Sequence, residues 1–350
     1  NGKVKAISEE IKNYNLPVIE LSSSDYVLPG FIDIHIHGSN GADVMDGDVD
    51  ALATISQSIY KHGVTSYLAT TMTAPNEDIT KSMQAISTYK RQELQNSANI
   101  VGVHLEGPFI SSGKIGAQNP NYLQGASLDK LASWNTAVGG LVKKITIAPE
   151  IDGANQLIDY CNQQKIITSI GHTNCTARQA LDAIGRGCSH ATHLFNAMSG
   201  FYHRNPGAGV ALLMSKDILA ELIVDGVHLH KDTVRFAHEI KGSDKIALVT
   251  DAMSAQGCAE GVYSLGGQKV IVKNGEARLE NGVLAGSVLT MNKALENMMS
   301  FTDCNLLDIV KMTSTNQAKS LGLAKGQIKI GYDAEFVILD KNYQIKQVVS

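Results

Sequence analysis

Apolar and polar positions along the chain change period several times, and those changes predict the elements. From Val27 to His37 the two kinds alternate, so that Ile32, Ile34 and Ile36 share one face of a strand while Asp33, His35 and His37 share the other. The isoleucine face can pack against helices. A face carrying Asp, His and His must line a polar interior or a site. Segments with helical spacing at about 48–62, 76–94, 153–164, 176–186 and 231–240 then alternate with β-branched runs at 64–70, Ile100–Leu105, and about 143–148, 166–170, 188–193, 218–224 and 245–250. Eight strands alternating with helices predict a (β/α)8 TIM barrel whose chemistry lies at the carboxyl ends of the strands. A doubly wound open sheet is the competing architecture. It fits less well, because the first strand runs into His-x-His where such a fold has a glycine-rich phosphate loop.

The chain ends follow another rhythm. Residues 3–7 and 17–21 read as short strands broken by Pro17 and polar turns, and Gly326–Val349 returns to strand-like pieces such as VILD and IKQVV. The two ends are expected to pair into one small β domain, residues 1–26 with 325–350, flanking a barrel of residues 27–324. Within the barrel, the glycine-rich stretch Gly261–Leu284 reads as a β-hairpin inserted near 261–285, ahead of helices near 290–301 and 305–321.

Composition narrows the function classes. The 350 residues are 43% hydrophobic and 18% charged, enough to bury a full core in a globular protein. The net charge of −4, with both signs interspersed, provides no basic stripe for a nucleic acid and no polybasic membrane anchor, so an anionic ligand has to be held by a local site. Cys161, Cys175, Cys188, Cys258 and Cys304 are odd in number and form no Cys-x-x-Cys pair, which suits reduced thiols and a cytoplasmic location. With no signal peptide and no apolar run approaching 18 residues, neither secretion nor a membrane span is expected. The chain opens on Asn1 rather than Met, which leaves room for residues upstream.

The candidate chemistry sits at the predicted strand ends. Gly171–Met198 forms one β-α-β unit with His172 and His193 each closing a strand, a placement in which two imidazoles can share a divalent metal; two ordinary loop histidines are the alternative. His35 and His37, two apart on one strand, can also chelate together. Glu106 ends the third strand in HLEGPF, where Gly107 and Pro108 turn the backbone and leave the carboxylate at the rim, able to complete one metal site or bridge two. Asp251 closes the eighth strand in ALVTDAMS; a part-buried carboxylate there needs a cation or a hydrogen bond, and a metal-bound water provides both. His228 or His230, in DGVHLH, is placed to reach a substrate carbonyl. Two imidazoles and a carboxylate accept zinc, iron, manganese or cobalt, so residue types leave the metal open.

Taken in order across nearly the whole chain, PGFIDIHIHG, HLEGPF, GHTNCT, THLFNAM, DGVHLH, TDAMSA and LAGSVLTM resemble the N-acetylglucosamine-6-phosphate deacetylases of the amidohydrolase superfamily. The resemblance implies a (β/α)8 barrel with a small β-sandwich built from both chain ends. It implies Glu106, His172 and His193 as ligands of a principal divalent cation, zinc or iron first, with His35 and His37 holding a second cation together with Glu106. Asp251 would be the catalytic acid/base and His228 the oxyanion partner. For a sugar phosphate it points to Ala117, Asn196, Ala197, Arg204, His228, Leu284, Ala285 and Gly286, and the planar donor fork of Arg204 suits a phosphate. His104, His190 and His203 match no ligand position, and Asp33 reads as orienting a neighbouring histidine. The implied reaction is hydrolysis of the acetamide of N-acetylglucosamine 6-phosphate by a homodimer. The 4-epimeric N-acetylgalactosamine 6-phosphate, a cyclic amide or nucleobase substrate, and a non-enzymatic scaffold stay open at this point.

Overall fold

A computed structural model describes residues 2–9, 17–92 and 94–350. Eight parallel strands lie side by side in chain order: Phe31–Ile36, Val64–Thr71, Asn99–Glu106, Val142–Ile147, Ile167–Ile170, His190–Ala191, Leu219–Leu222 and Ile246–Leu248. The seam between the first and the eighth is closed just beyond the last strand, where Asp251 N–H donates to the His35 carbonyl at 2.8 Å and His37 N–H to the Ala252 carbonyl at 2.9 Å. The (β/α)8 barrel is thus realised, with the helices around it.

Local chemistry starts these helices where the pattern placed them. Asp48 accepts from Ala51 N–H and caps Val49–Tyr60, which turns Leu52, Ile55 and Ile59 onto the strands. Thr176 and Gln179 form a reciprocal capping box that opens Ala177–Gly185 between His172 and His193. Inside the barrel the filling is partly polar: His104 Nε2 lies 2.7 Å from Thr146 Oγ1, which lies 2.8 Å from Thr192 Oγ1, itself 2.6 Å from Ser169 Oγ. All four are buried.

Several expectations are corrected. The run Val27–His37 is two strands, because Tyr26–Pro29 pairs antiparallel with Phe336–Leu339 while Phe31–Ile36 joins the barrel. Gly30 makes the break: a Cβ there would sit 2.2 Å from Thr65 Oγ1. Residues 3–7 contribute only an isolated bridge from Lys3 to Asp333, and 17–21 form no strand; Val18 is 70% exposed and has no sheet face to pack on. The expected hairpin is a three-stranded antiparallel meander, Gly261–Leu265, Gln268–Lys273 and Glu276–Leu279. The second helix stops at Tyr89, well short of 94, and the helical run from Leu306 to Leu321 widens into a π segment over Lys311–Thr315. Helices Leu128–Ala137 and Ala208–Met214 escaped the pattern reading, the latter because AGVALLM is too short and uniformly apolar to show a period.

The chain ends meet in a three-stranded antiparallel sheet ordered Tyr26–Pro29, Phe336–Leu339, Ile345–Val349. Its Leu28, Val337 and Leu339 pack into the same apolar core as the barrel.

Candidate active site

Six side chains predicted from the strand ends converge at the carboxyl end of the barrel. Glu106 is the centre: its Oε1 lies 3.2 Å from His172 Nε2, 3.1 Å from His193 Nε2 and 3.3 Å from His35 Nε2, and its Oε2 lies 3.2 Å from His37 Nε2. Asp251 Oδ1 faces the same point, 3.2 Å from His37 Nε2 and 3.4 Å from His35 Nε2. Two sets, His35 with His37 and Glu106, and Glu106 with His172 and His193, each bring their ligand atoms within 4.8 Å of one another.

The backbone holds these residues in conformations that L-residues seldom adopt. His172 (φ 46°), His193 (φ 28°) and Asp251 (φ 47°) are all left-handed, as are Phe195 (φ 76°) and Ala197 (φ 47°). Such positions cost on the order of 1–3 kcal/mol each and persist where the surroundings over-determine them, which is a common property of sites. Gly286 (φ 61°) needs its missing side chain for the same reason, since a Cβ would press within 3.0 Å of the Asp251 carbonyl.

The cluster fits a divalent cation. His35 Nε2 is buried and, among the described residues, has no well-aligned hydrogen-bond partner although two carboxylates lie beside it. Burial depresses the basicity of both strand-one histidines, yet Asp251 and Glu106 lift His37 to about 9 and His35 well above its usual range. Burial likewise pushes the Asp251 carboxyl up, but His35 and His37 outweigh it and bring it down to about 2. The pocket therefore calls for positive charge at its centre. His172 Nε2 and His193 Nε2, 3.1 Å apart, offer lone pairs to one shared partner.

Three of the ligands, His172, Glu106 and His35, are oriented from behind, whereas His37 Nδ1 and His193 Nδ1 have no hydrogen-bond partner among the described residues. His172 Nδ1 lies 3.0 Å from the Lys114 carbonyl, and Gln118 Nε2 donates to Glu106 Oε2 at 2.8 Å. His35 Nδ1 lies 3.0 Å from Glu221 Oε2, and Glu221 is paired with Lys144 inside the barrel. Asp33 does not touch a histidine ring; it accepts from the His35 backbone N–H at 3.1 Å and from Thr250 Oγ1 at 2.6 Å, so it pins the first strand to the eighth. His104 and His190 lie deeper in the barrel, where burial and then the nearby Lys144 ammonium depress both, His190 to about 3.

A cavity of about 390 Å³ opens over this floor. Glu106, His37, His172, His193 and Asp251 form its base, and Ala117, Asn196, Ala197, His228, Leu284 and Gly286 its wall. Ala285 is buried behind the wall. His228 is fixed by Asp225, whose Oδ2 accepts from Nδ1 at 2.6 Å while Oδ1 accepts from the backbone N–H of Val227 and His228, both at 2.8 Å. His230 points elsewhere, at the exposed Asp232. Arg204 and His203 stand on an exposed turn outside the residues lining the cavity.

Sequence reasoning missed Gln118, Asp225, Glu221, Lys144 and Arg278. Arg278 comes from the inserted meander to line the cavity, its Nε donating to Glu276 at 2.6 Å and its Nη1 to the Gly282 carbonyl at 2.8 Å. Asp225 was open to detection, since DGVHLH places it one turn before His228. Nothing local marks Glu221 or Lys144.

The model of the amidohydrolase family matches residues 26–350. An N-acetylglucosamine-6-phosphate deacetylase of Bacillus subtilis (strain 168) is 39% identical over 99% of this chain and 88% of its own length. The crystal structure of an N-acetylglucosamine-6-phosphate deacetylase from Thermotoga maritima superposes with a TM-score of 0.90 at 32% identity, covering 100% of this chain and 91% of that one. A mutant N-acetyl-D-glucosamine-6-phosphate deacetylase from Mycobacterium smegmatis, solved in complex with N-acetyl-D-glucosamine-6-phosphate, superposes with a TM-score of 0.88 at 32% identity over 92% of this chain and 85% of that one. A barrel with this carboxylate-centred histidine cluster, matched along its length by these proteins, belongs to the amidohydrolase family, alongside the N-acetylglucosamine-6-phosphate deacetylases.

Proposed function

We propose that this enzyme hydrolyses the acetamide of N-acetyl-D-glucosamine 6-phosphate to D-glucosamine 6-phosphate and acetate, a step of amino-sugar catabolism. The observation that carries this reading is the convergence of four imidazole Nε2 atoms on the Glu106 carboxylate, with Asp251 beside them on the floor of the cavity. Glu106, His172 and His193 hold the principal cation, His35 and His37 with Glu106 a second one, and zinc or iron suits the donor set. When bound, the cation supplies Lewis acidity and a water acidic near neutral pH.

The chain's own residues do the rest. Asp251 accepts a proton from the attacking water as its oxygen adds to the acetyl carbon, and hands that proton to the sugar nitrogen as the C–N bond breaks. His228, held at Nδ1 by Asp225, lines the cavity and is assigned to the oxyanion that grows on the carbonyl oxygen. Ala117, Asn196, Ala197, Leu284 and Gly286 line the wall assigned to the sugar ring. Asp225→Asn weakens that charge-assisted pair, and kcat/KM is expected to fall roughly tenfold to a hundredfold, the worth of about 1.5–3 kcal/mol, with metal content unchanged. An unaltered kcat/KM would remove His228 from the mechanism.

Arg204 is assigned to the phosphate. In one chain it lies on the exposed turn beside Phe201 and Tyr202, which are 66% and 67% exposed, so this reading pairs two copies as a homodimer in which Arg204 serves the neighbouring cavity. Arg204→Met is expected to lower kcat/KM for N-acetylglucosamine 6-phosphate about ten- to a hundredfold while barely changing slow turnover of the unphosphorylated sugar. The ratio of the two kcat/KM values, wild type against variant, is the measurement; an unchanged ratio takes the phosphate away from Arg204. Assaying the 4-epimer, N-acetylgalactosamine 6-phosphate, beside it tests the epimer preference.

Three further points belong to the same reading. The expected division into an end unit of residues 1–26 with 325–350 and a barrel of 27–324 is moved at its first boundary, because Tyr26–Pro29 belongs to the end sheet. The five free cysteines, four of them buried, suit a cytoplasmic enzyme. Among the described residues no helix is long and apolar enough to cross a membrane.

A further inference from the structure

An ion pair stands where stability alone gives it little reason to be. Lys144, on the fourth barrel strand, and Glu221, on the seventh, are both fully buried and bond each other across the barrel interior. Two charges taken so far out of water gain little over a well-packed apolar pair of the same volume. What the pair does is directional. Lys144 occupies Glu221 Oε1 and so fixes the carboxylate plane, leaving Oε2 for two other groups: His35 Nδ1 at 3.0 Å and the backbone N–H of His193 at 3.3 Å. An ionised carboxylate accepts only. Nδ1 of His35 therefore donates to Glu221, and Nε2 is turned to Glu106 and Asp251. The same oxygen seats His193, whose strained backbone (φ 28°) places its Nε2 beside His172. One carboxylate thus governs a histidine from each of the two ligand sets that share Glu106.

We propose that Glu221, held by Lys144, is the positioning residue that fixes the His35 tautomer and the seat of His193, and thereby sets how tightly the Glu106-centred cluster retains a divalent cation. The inference rests on the metal-site reading above, and it concerns residues that touch neither substrate nor reacting atoms. Its mechanism is the general one by which a carboxylate behind a metal-ligating histidine orients the ring and raises its basicity.

The test is zinc retention rather than turnover. Zinc-loaded wild type and the double variant Lys144→Met/Glu221→Met are titrated with a chromophoric chelator, and thermal unfolding of each metal-free protein is recorded alongside. Because both charges are removed together, the double variant leaves no uncompensated buried ion and is expected to fold normally. Its zinc affinity is expected to drop 10- to 100-fold. Glu221→Gln, which keeps a neutral acceptor, should fall between the two. Long-range ¹H–¹⁵N spectra should show His35 protonated on Nδ1 in wild type and a tautomer mixture in the double variant. Zinc affinity within twofold of wild type, or an unchanged tautomer, overturns the proposal; should the double variant not fold, an unchanged affinity in Glu221→Gln overturns it equally. Wild type that takes up neither zinc nor cobalt sinks the metal-site reading and this inference with it, whereas metal uptake without deacetylation of the sugar phosphate leaves the inference standing and sinks only the assigned reaction.

Discussion

Asp251→Asn is expected to lower kcat by about 10²–10⁴ while the protein keeps most of its metal. Asp251 Oδ1 is placed among His35, His37 and the cavity rather than in either three-residue ligand set, so its amide counterpart removes a proton acceptor and leaves both sets whole. Asn fits the same left-handed backbone (φ 47°) better than most residues, so the fold is not put at risk. The substitution does change the local charge, because the carboxylate lowered to about 2 is ionised throughout the neutral range. Metal analysis on the purified variant, run beside steady-state kinetics, separates the two roles. If the metal leaves together with the activity, Asp251 is a ligand and the proton transfers need another carrier.

The second large effect is expected from His193→Ala. Its Nε2 lies 3.1 Å both from Glu106 Oε1 and from His172 Nε2, so truncation takes one of three donors from the principal site and leaves the other two too few to close it. Metal content and turnover should both collapse. The variant should still fold, because the His193 backbone N–H keeps its bond to Glu221 and Leu194 N–H donates to the Glu221 carbonyl at 2.8 Å. A linked thermal signature is available: a cation bound only to the native state and present at about a hundred times its Kd stabilises by roughly 2.7 kcal/mol, so a chelator should lower the melting temperature of wild type by more than that of His193→Ala, which keeps only the His35, His37 and Glu106 set. Full metal occupancy in the variant would strike His193 from the ligand set.

These two residues were legible before any coordinates. Asp251 directly follows a short run of apolar and small residues and His193 closes a predicted strand, and a charged or ligating side chain at a strand end is a local feature that spacing along the chain exposes. Glu106 was legible from the strand end and the Gly107-Pro108 turn after it, and His35 and His37 from their two-residue spacing on one strand. Arg204 was implied by the resemblance, with a donor fork that suits a phosphate, but its exposed turn depends on how the segment from Phe201 to Pro206 leaves the barrel, which residue type does not encode. Glu221 was passed over as one polar residue in a four-residue strand, although it organises two ligands.

What the sequence determined by itself is therefore the alternation of eight strands and helices and the identity of the side chains at the strand ends, because periodicity and terminal position are properties of neighbouring residues. The tertiary structure decided which nitrogen of each imidazole faces Glu106 and that Lys144 and Glu221 meet inside the barrel. Those are distances across a closed barrel. They follow from the way eight strands wrap round to join the first to the last, and no spacing along the chain carries that closure.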